Sequence, residues 1–210
     1  MTTYDYKFHT FIEKKIQKIN SPTIIEFGVK EGRSTRVFLD ICKKNKGKLF
    51  SVDVDDYSEI INDPEWTFIK SRDDNFNYLK DKIPESFDVI YLDSLHEADH
   101  VEKIFYHYFP KLKVNGFFFI DDISWLPYIK NQSRDSFYCE INNKETFDKI
   151  LEIYNNNTNL FDLSFSFKSS GLGVIKKISN LPLIKNEAIV TRNFSFKNIA
   201  RLIWKKIKKS

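Results

Sequence analysis

The sequence predicts an α/β fold: a mostly parallel sheet with helices packed on both of its faces and an antiparallel hairpin at its C-terminal edge. Three observations carry this. Five short apolar segments alternate with helix-compatible stretches or short connections, the pattern of parallel strands joined by crossovers. Two of them, Phe87–Leu92 and Gly116–Ile120, are nearly continuous apolar runs, as expected of strands buried on both faces. Four of them end in an acid, namely Glu26, Asp53, Asp93 and Asp121. In a parallel sheet these ends share one edge, and ligands bind along that edge where the strand order switches.

Each element can be justified in turn. Phe8, Phe11, Ile12, Ile16 and Ile19 recur at helical spacing, which predicts an N-terminal helix within residues 1–20, stopped at Asn20-Ser21-Pro22. Thr23–Phe27 is the first strand; Gly28 and Gly32 follow it, and a helix is expected over Ser34–Cys42. That turn points backbone N–H groups and the positive helix end at whatever lies above the strand. Lys48–Val54 and Trp66–Lys70 are the second and third strands, with a helix expected from about Asp74 to Lys82. Phe87–Asp93 is the fourth strand, Glu97–Phe109 a helix, and Gly116–Asp121 the fifth strand. Residues 123–142 show no period and read as a long loop carrying Trp125, Tyr128 and Tyr138. Asn143–Tyr154 is expected to be a helix with Asn143 as its cap. Phe161–Lys168 alternates in polarity, and after a turn at Ser169-Ser170-Gly171 the strand Leu172–Ile178 returns beside it. The prediction is one domain over residues 1–184 and a separate tail over 185–210.

Composition narrows the function classes. Of 210 residues, 41% are hydrophobic and 30% charged, an ordinary globular balance. The net charge is +4, but six Lys/Arg and no acid fall between Lys197 and Ser210. Taking those six from the 33 bases leaves 27 against 29 acids, a net of −2, so the body is not a basic nucleic-acid surface. Two cysteines, Cys42 and Cys139, support neither a disulfide framework nor a zinc site. With no signal pattern at the start and no apolar run near the ~20 residues of a membrane span, the expected setting is cytoplasmic.

The motifs occur in a particular order: Glu26-Phe-Gly28-Val-Lys-Glu-Gly32-Arg-Ser34-Thr35, then Ser51-Val52-Asp53, then Asp88-Val-Ile-Tyr-Leu-Asp93-Ser-Leu-His96, then Gly116-Phe-Phe-Phe-Ile-Asp121-Asp122. In this order the chain resembles the class I S-adenosylmethionine-dependent methyltransferases over roughly residues 20–178. Within them it is most similar to the small metal-dependent O-methyltransferases that act on catechols and sugars. Lys30, standing where a dinucleotide-binding loop has its second glycine, separates the turn from a nicotinamide-type fingerprint.

The resemblance implies a Rossmann-like three-layer sandwich around a seven-stranded, mostly parallel sheet. It assigns Glu26, Gly28, Gly32 and Ser34 to the methionine part of S-adenosylmethionine and Asp53 to its ribose. Arg72 and Asp73 fall near the adenine, and Asp93 borders the cofactor as well. Asp93, Asp121 and Asp122 are placed on a divalent cation, magnesium or another, and three converging carboxylates call for a positive charge between them. His96, or else Asp93, takes the acceptor's proton. His100, one helical turn past His96, could flank the same cleft, but it and His107 read as surface or packing residues. The implied activity is methyl transfer to a hydroxyl of a small acceptor, a sugar, a glycoconjugate precursor or another diol-like compound. The alternative is a methyltransferase fold without catalysis, serving as a binding or assembly module. The complete set Glu26, Asp53, Asp93 and Asp121 argues against that alternative.

The tail is read separately. Phe196, Ile199, Ala200, Ile203 and Ile207 share one helical stripe, with Trp204 at its border and the basic residues mostly off it. Peripheral membrane contact, docking on the body and docking on a second subunit in a homodimer are all open. Docking is preferred, because so short a stripe binds membranes weakly.

Overall fold

The structure, a computed structural model, describes residues 6–125, 137–185 and 196–207. Seven strands form one sheet: β1 (Thr23–Phe27), β2 (Lys48–Asp53), β3 (Trp66–Lys70), β4 (Phe87–Leu92), β5 (Leu112–Asp121), β6 (Phe161–Ser166) and β7 (Leu172–Lys177). Their order is β3-β2-β1-β4-β5-β7-β6. The first five run parallel, while β7 is antiparallel to both β5 and β6. The α/β expectation, the parallel body and the closing hairpin are all borne out.

The helices follow in chain order. The N-terminal helix α1 is wound as a π-helix over Phe8–Glu13 and as an α-helix over Lys14–Ile16. Then come α2 (Arg33–Asn45), α3 (Phe76–Leu79), α4 (Ala98–Tyr108), α5 (Phe137–Asn156) and α6 (Phe196–Ile207). Strand side chains alternate between faces, so neighbours such as Ile24 and Ile25 enter different cores. Ile24 joins Phe8, Ile12, Phe38, Ile41 and Tyr91 in the cluster under α1 and α2. Ile25 joins Leu79, Phe87, Phe105, Tyr108 and Phe118 in the cluster under α3, α4 and α5. Phe8, Phe38 and Tyr91 meet pairwise with ring centroids 5.3–5.4 Å apart, which pins α1 beneath β4.

Three local expectations need correction. The helix expected over residues 74–82 is a single turn, α3, and continues as turns closed by Lys82 and Ile83 N–H groups on the Leu79 carbonyl, before Pro84. Strand β5 starts four residues earlier than expected, at Leu112, because its pairing with β4 shifts register between Phe87 and Val89. Asn143 is not a cap but lies inside α5, where its side-chain amide donates to the Ser124 carbonyl at 3.0 Å. Tyr128 and the side chain of Tyr138 lie outside the described residues.

Candidate active site

The sheet order reverses between β1 and β4, and above this switch point opens a cavity of about 780 Å³. One end is lined by the turn from Gly28 to Ser34 together with Asp53; the other by Asp93, His96 and Asp122. Arg72, Asp73 and His100 line it between β3 and α4.

Gly28 is required by backbone contact. It has φ +94°, and a Cβ there would lie 2.0 Å from the Asp93 carbonyl oxygen. The ends of β1 and β4 therefore touch, with the Asp93 N–H donating to the Phe27 carbonyl at 2.8 Å. Gly32 caps α2 in the left-handed conformation at φ +70°. Asp53 secures the turn from the side: its Oδ2 accepts the Val29 N–H at 2.7 Å, and its Oδ1 accepts that of Asp55 at 3.1 Å.

Glu26 is fully buried beneath the turn. Its Oε2 accepts hydrogen bonds from Thr35 (2.8 Å) and Ser51 (2.7 Å), and Ser51 is itself held by the Trp66 indole at 3.0 Å. Its Oε1 lacks a well-formed hydrogen bond despite the nearby Ser34 hydroxyl. Burial pushes the carboxyl up to about 7, against the pull of the Ser34, Ser51 and Thr35 hydroxyls. An unsatisfied carboxylate oxygen is what a ligand ammonium requires, and the N–H groups of a helix start such as that of α2 suit a carboxylate. The residues present thus fit the amino-acid end of S-adenosylmethionine.

The acids at the other end do not act as one group. Asp121 is buried and fully engaged. Lys7 Nζ bonds its Oδ1, Ser170 Oγ donates to the same oxygen at 3.1 Å, the Asp122 N–H reaches it at 2.7 Å, and the Tyr91 hydroxyl donates to Oδ2 at 2.5 Å. Burial alone would raise its pKa, but the Lys7 charge and these bonds hold it below the ordinary carboxylate value. Asp121 was expected on the cation; here its oxygens meet Lys7, Tyr91 and Ser170, while ligand atoms of Asp93, His96 and Asp122 gather beside it.

Asp93 and Asp122 remain half-buried at the cavity wall. Burial first, then repulsion from neighbouring carboxylates, raises both pKa values, and that of Asp93 rises well above the ordinary one. His96 Nε2 stands 3.2 Å from Asp122 Oδ2 and 3.6 Å from Asp93 Oδ1. One ligand atom from each of Asp93, His96 and Asp122 falls within 4.8 Å of the others. Asp122 reaches this position with φ +55°, in the left-handed region. Two carboxylates with depleted counter-charge fit a hard divalent cation.

Sequence reasoning missed Lys7 and did not find the partner of His100. Lys7 sits on the predicted first helix, and its neighbourhood to Asp121 depends on α1 docking under β4. His100 is buried rather than at the surface; its Nε2 lies 2.9 Å from Asp73 Oδ2, to which Ser94 Oγ also donates at 2.5 Å. Of the two residues expected near adenine, Asp73 is fixed by this pair, while Arg72 turns to Asp74 at 2.8 Å. His107 stacks on Phe76, and Trp125 packs on Phe147 with Lys144 over its ring instead of lining the cavity.

A seven-stranded sheet in this order, with its ligand cleft at the β1–β4 switch point and acids ending β1, β2 and β4, defines the class I methyltransferase fold. Residues 25–123, just under half of the chain, match the family model described as a methyltransferase domain, which agrees with the resemblance read from the sequence. Solved structures agree on the fold. MycE methyltransferase from the mycinamycin biosynthetic pathway, in complex with Mg and S-adenosylhomocysteine, superposes with TM-score 0.61 at 16% identity over 88% of this chain and 52% of its own. The chain thus spans about half the length of MycE. A provisionally assigned caffeoyl-CoA O-methyltransferase from Staphylococcus aureus gives 0.60 at 18% identity, over 79% of this chain and 80% of its own. The S-adenosylhomocysteine-bound Podospora anserina methyltransferase PaMTH1 gives 0.59 at 13%, over 84% and 86%. No curated protein matches the chain in sequence. Among the described residues no helix is long and apolar enough to cross a membrane.

Proposed function

We propose that the protein transfers a methyl group from S-adenosylmethionine to a hydroxyl of a small acceptor, with a divalent cation at the acceptor end. The observation that carries this reading is the single cavity that joins the Gly28–Ser34 turn to Asp93, His96 and Asp122. Donor and acceptor pockets share one space, so the protein can bring the two reactants into line. The neighbours support the same reading: MycE is known in complex with Mg, S-adenosylhomocysteine and mycinamycin VI.

In this reading Glu26 Oε1 binds the ammonium of the methyl donor, and the N–H groups at the start of α2 bind its carboxylate. Asp53 faces the ribose, and the fixed pair Asp73–His100 borders the adenine side with Arg72. Asp93 and Asp122 would hold the cation by oxygen. A bound divalent cation would supply Lewis acidity that makes an acceptor hydroxyl easier to deprotonate. His96 Nε2, at the rim of these acids, accepts that proton, and the neighbouring carboxylates stabilise the imidazolium formed. A sugar or other diol-like compound suits this reading, because a divalent cation would accept oxygens of its acceptor.

Calorimetry with S-adenosylmethionine and S-adenosylhomocysteine tests the donor half, and absence of binding at high-micromolar concentration would refute it. Transfer of labelled methyl to a panel of sugars and catechols, with and without chelator, tests the acceptor half. Chelator-resistant turnover would leave the methyl transfer standing and remove the cation.

A further inference from the structure

We infer that α6 is a surface anchor that binds anionic membranes, laying its apolar face into the headgroup region while its cations contact lipid phosphates. The inference goes beyond methyl transfer and does not depend on it. Docking, on the body or on a second subunit, was the preferred expectation, but the aliphatic stripe is exposed. The stripe faces solvent: Phe196 is 90% exposed, Ile203 55% and Ile207 62%, with Ile199 and Trp204 exposed beside them. An apolar face of this kind in water requires a covering partner.

Charge selects the partner. The segment 197–210 holds six Lys/Arg and no acid, whereas the rest of the chain nets −2. Pairing α6 with the α6 of a second copy would bring two such segments together with no counter-charge between them, and like charges at that distance repel. Nucleic acid would satisfy the cations but leave Phe196, Ile203 and Ile207 in water. An anionic bilayer surface satisfies both halves: acyl chains cover the stripe, and phosphates and acidic headgroups meet the basic side. Trp204, at the border between the two, has the amphipathic ring that suits the headgroup level.

The test uses the full chain with phosphatidylcholine vesicles, with or without about 30% phosphatidylserine, read by flotation and by tryptophan fluorescence. Binding should be at least about tenfold tighter to the anionic vesicles and should weaken on raising salt to about 0.5 M. Ile203→Asp/Ile207→Asp should abolish binding with an unchanged melting curve, because both side chains are exposed. Arg201→Gln/Lys205→Gln/Lys206→Gln should lose the preference for anionic lipid. The inference is overturned if wild type ignores both vesicle types, if Ile203→Asp/Ile207→Asp still floats, or if that variant instead dissolves a concentration-dependent dimer that does not float.

Discussion

Lys7 and Asp121, 114 residues apart in sequence, form an ion pair whose side chains are 0% and 2% exposed. The pair joins α1 to the end of β5 and cancels one carboxylate of an acidic cluster before any ligand arrives. Removing one partner leaves a buried charge without compensation, at a cost of roughly 3–5 kcal/mol. Lys7→Met should therefore lower the unfolding free energy measured in urea by that much, and Lys7→Met/Asp121→Asn should recover a large part of the loss. Equal destabilisation in single and double variants would show that Lys7 matters through packing of α1 alone.

On the proposed function, Glu26 would make donor binding depend on pH. Its carboxyl titrates at about 7 when the site is empty, raised mainly by burial, and only the carboxylate can pair with the ligand ammonium. Affinity for S-adenosylhomocysteine should fall by about tenfold per pH unit below 7 and level off above it. Glu26→Gln should bind weakly at every pH and show no such slope. Stability of the empty protein runs the other way. A buried acid with a raised pKa favours the folded state below its unfolded value, and that contribution is lost as pH rises through about 7. Calorimetry and denaturation from pH 5.5 to 8.5, a range of about three units around that value, separate the two trends.

The sheet was legible in the sequence because its signals are local. The apolar run Phe87–Leu92, the acids ending four strands and the alternation over Phe161–Phe167 each sit within a few residues. Glu26, Asp53 and Asp93 could be placed at one edge from topology alone. What could not be read is which acid faces which cation. Asp121 and Asp122 are adjacent in sequence, yet one turns into the core toward Lys7 and the other toward His96. That division depends on α1 packing under β4 and on the left-handed backbone at Asp122, neither of which has a sequence signature. The Asp73–His100 pair was hidden for the same reason, since its partners come from the β3 end and α4.

Gly28→Ala should be among the more damaging single-methyl changes in this chain. The added Cβ would stand 2.0 Å from the Asp93 carbonyl oxygen, and φ +94° disfavours any side chain. The strand ends must separate, so stability should drop by at least about 2 kcal/mol. Because the Asp93 side chain moves with its backbone, S-adenosylhomocysteine and magnesium affinities should fall together. A thermal melt and two calorimetric titrations check this. Loss of one affinity with the other intact would mean that the two ends of the cavity are not coupled through this contact.

The roles of His96, Asp122 and Asp121 can be separated by what each variant leaves intact. Magnesium prefers oxygen ligands, so Asp93→Ala and Asp122→Ala should raise its dissociation constant at least about tenfold by calorimetry. Asp121→Asn should leave that constant nearly unchanged and lower stability, because its oxygens serve Lys7, Tyr91 and Ser170. His96→Ala should keep both magnesium and donor binding, yet lower kcat by about 10²-fold or more, the usual scale for losing a proton acceptor. If His96→Ala instead weakens magnesium as much as Asp122→Ala does, the imidazole is a third ligand. Its Nε2 lies 3.2 Å from Asp122 Oδ2, close enough for either role, and only the split between kcat and metal affinity tells them apart.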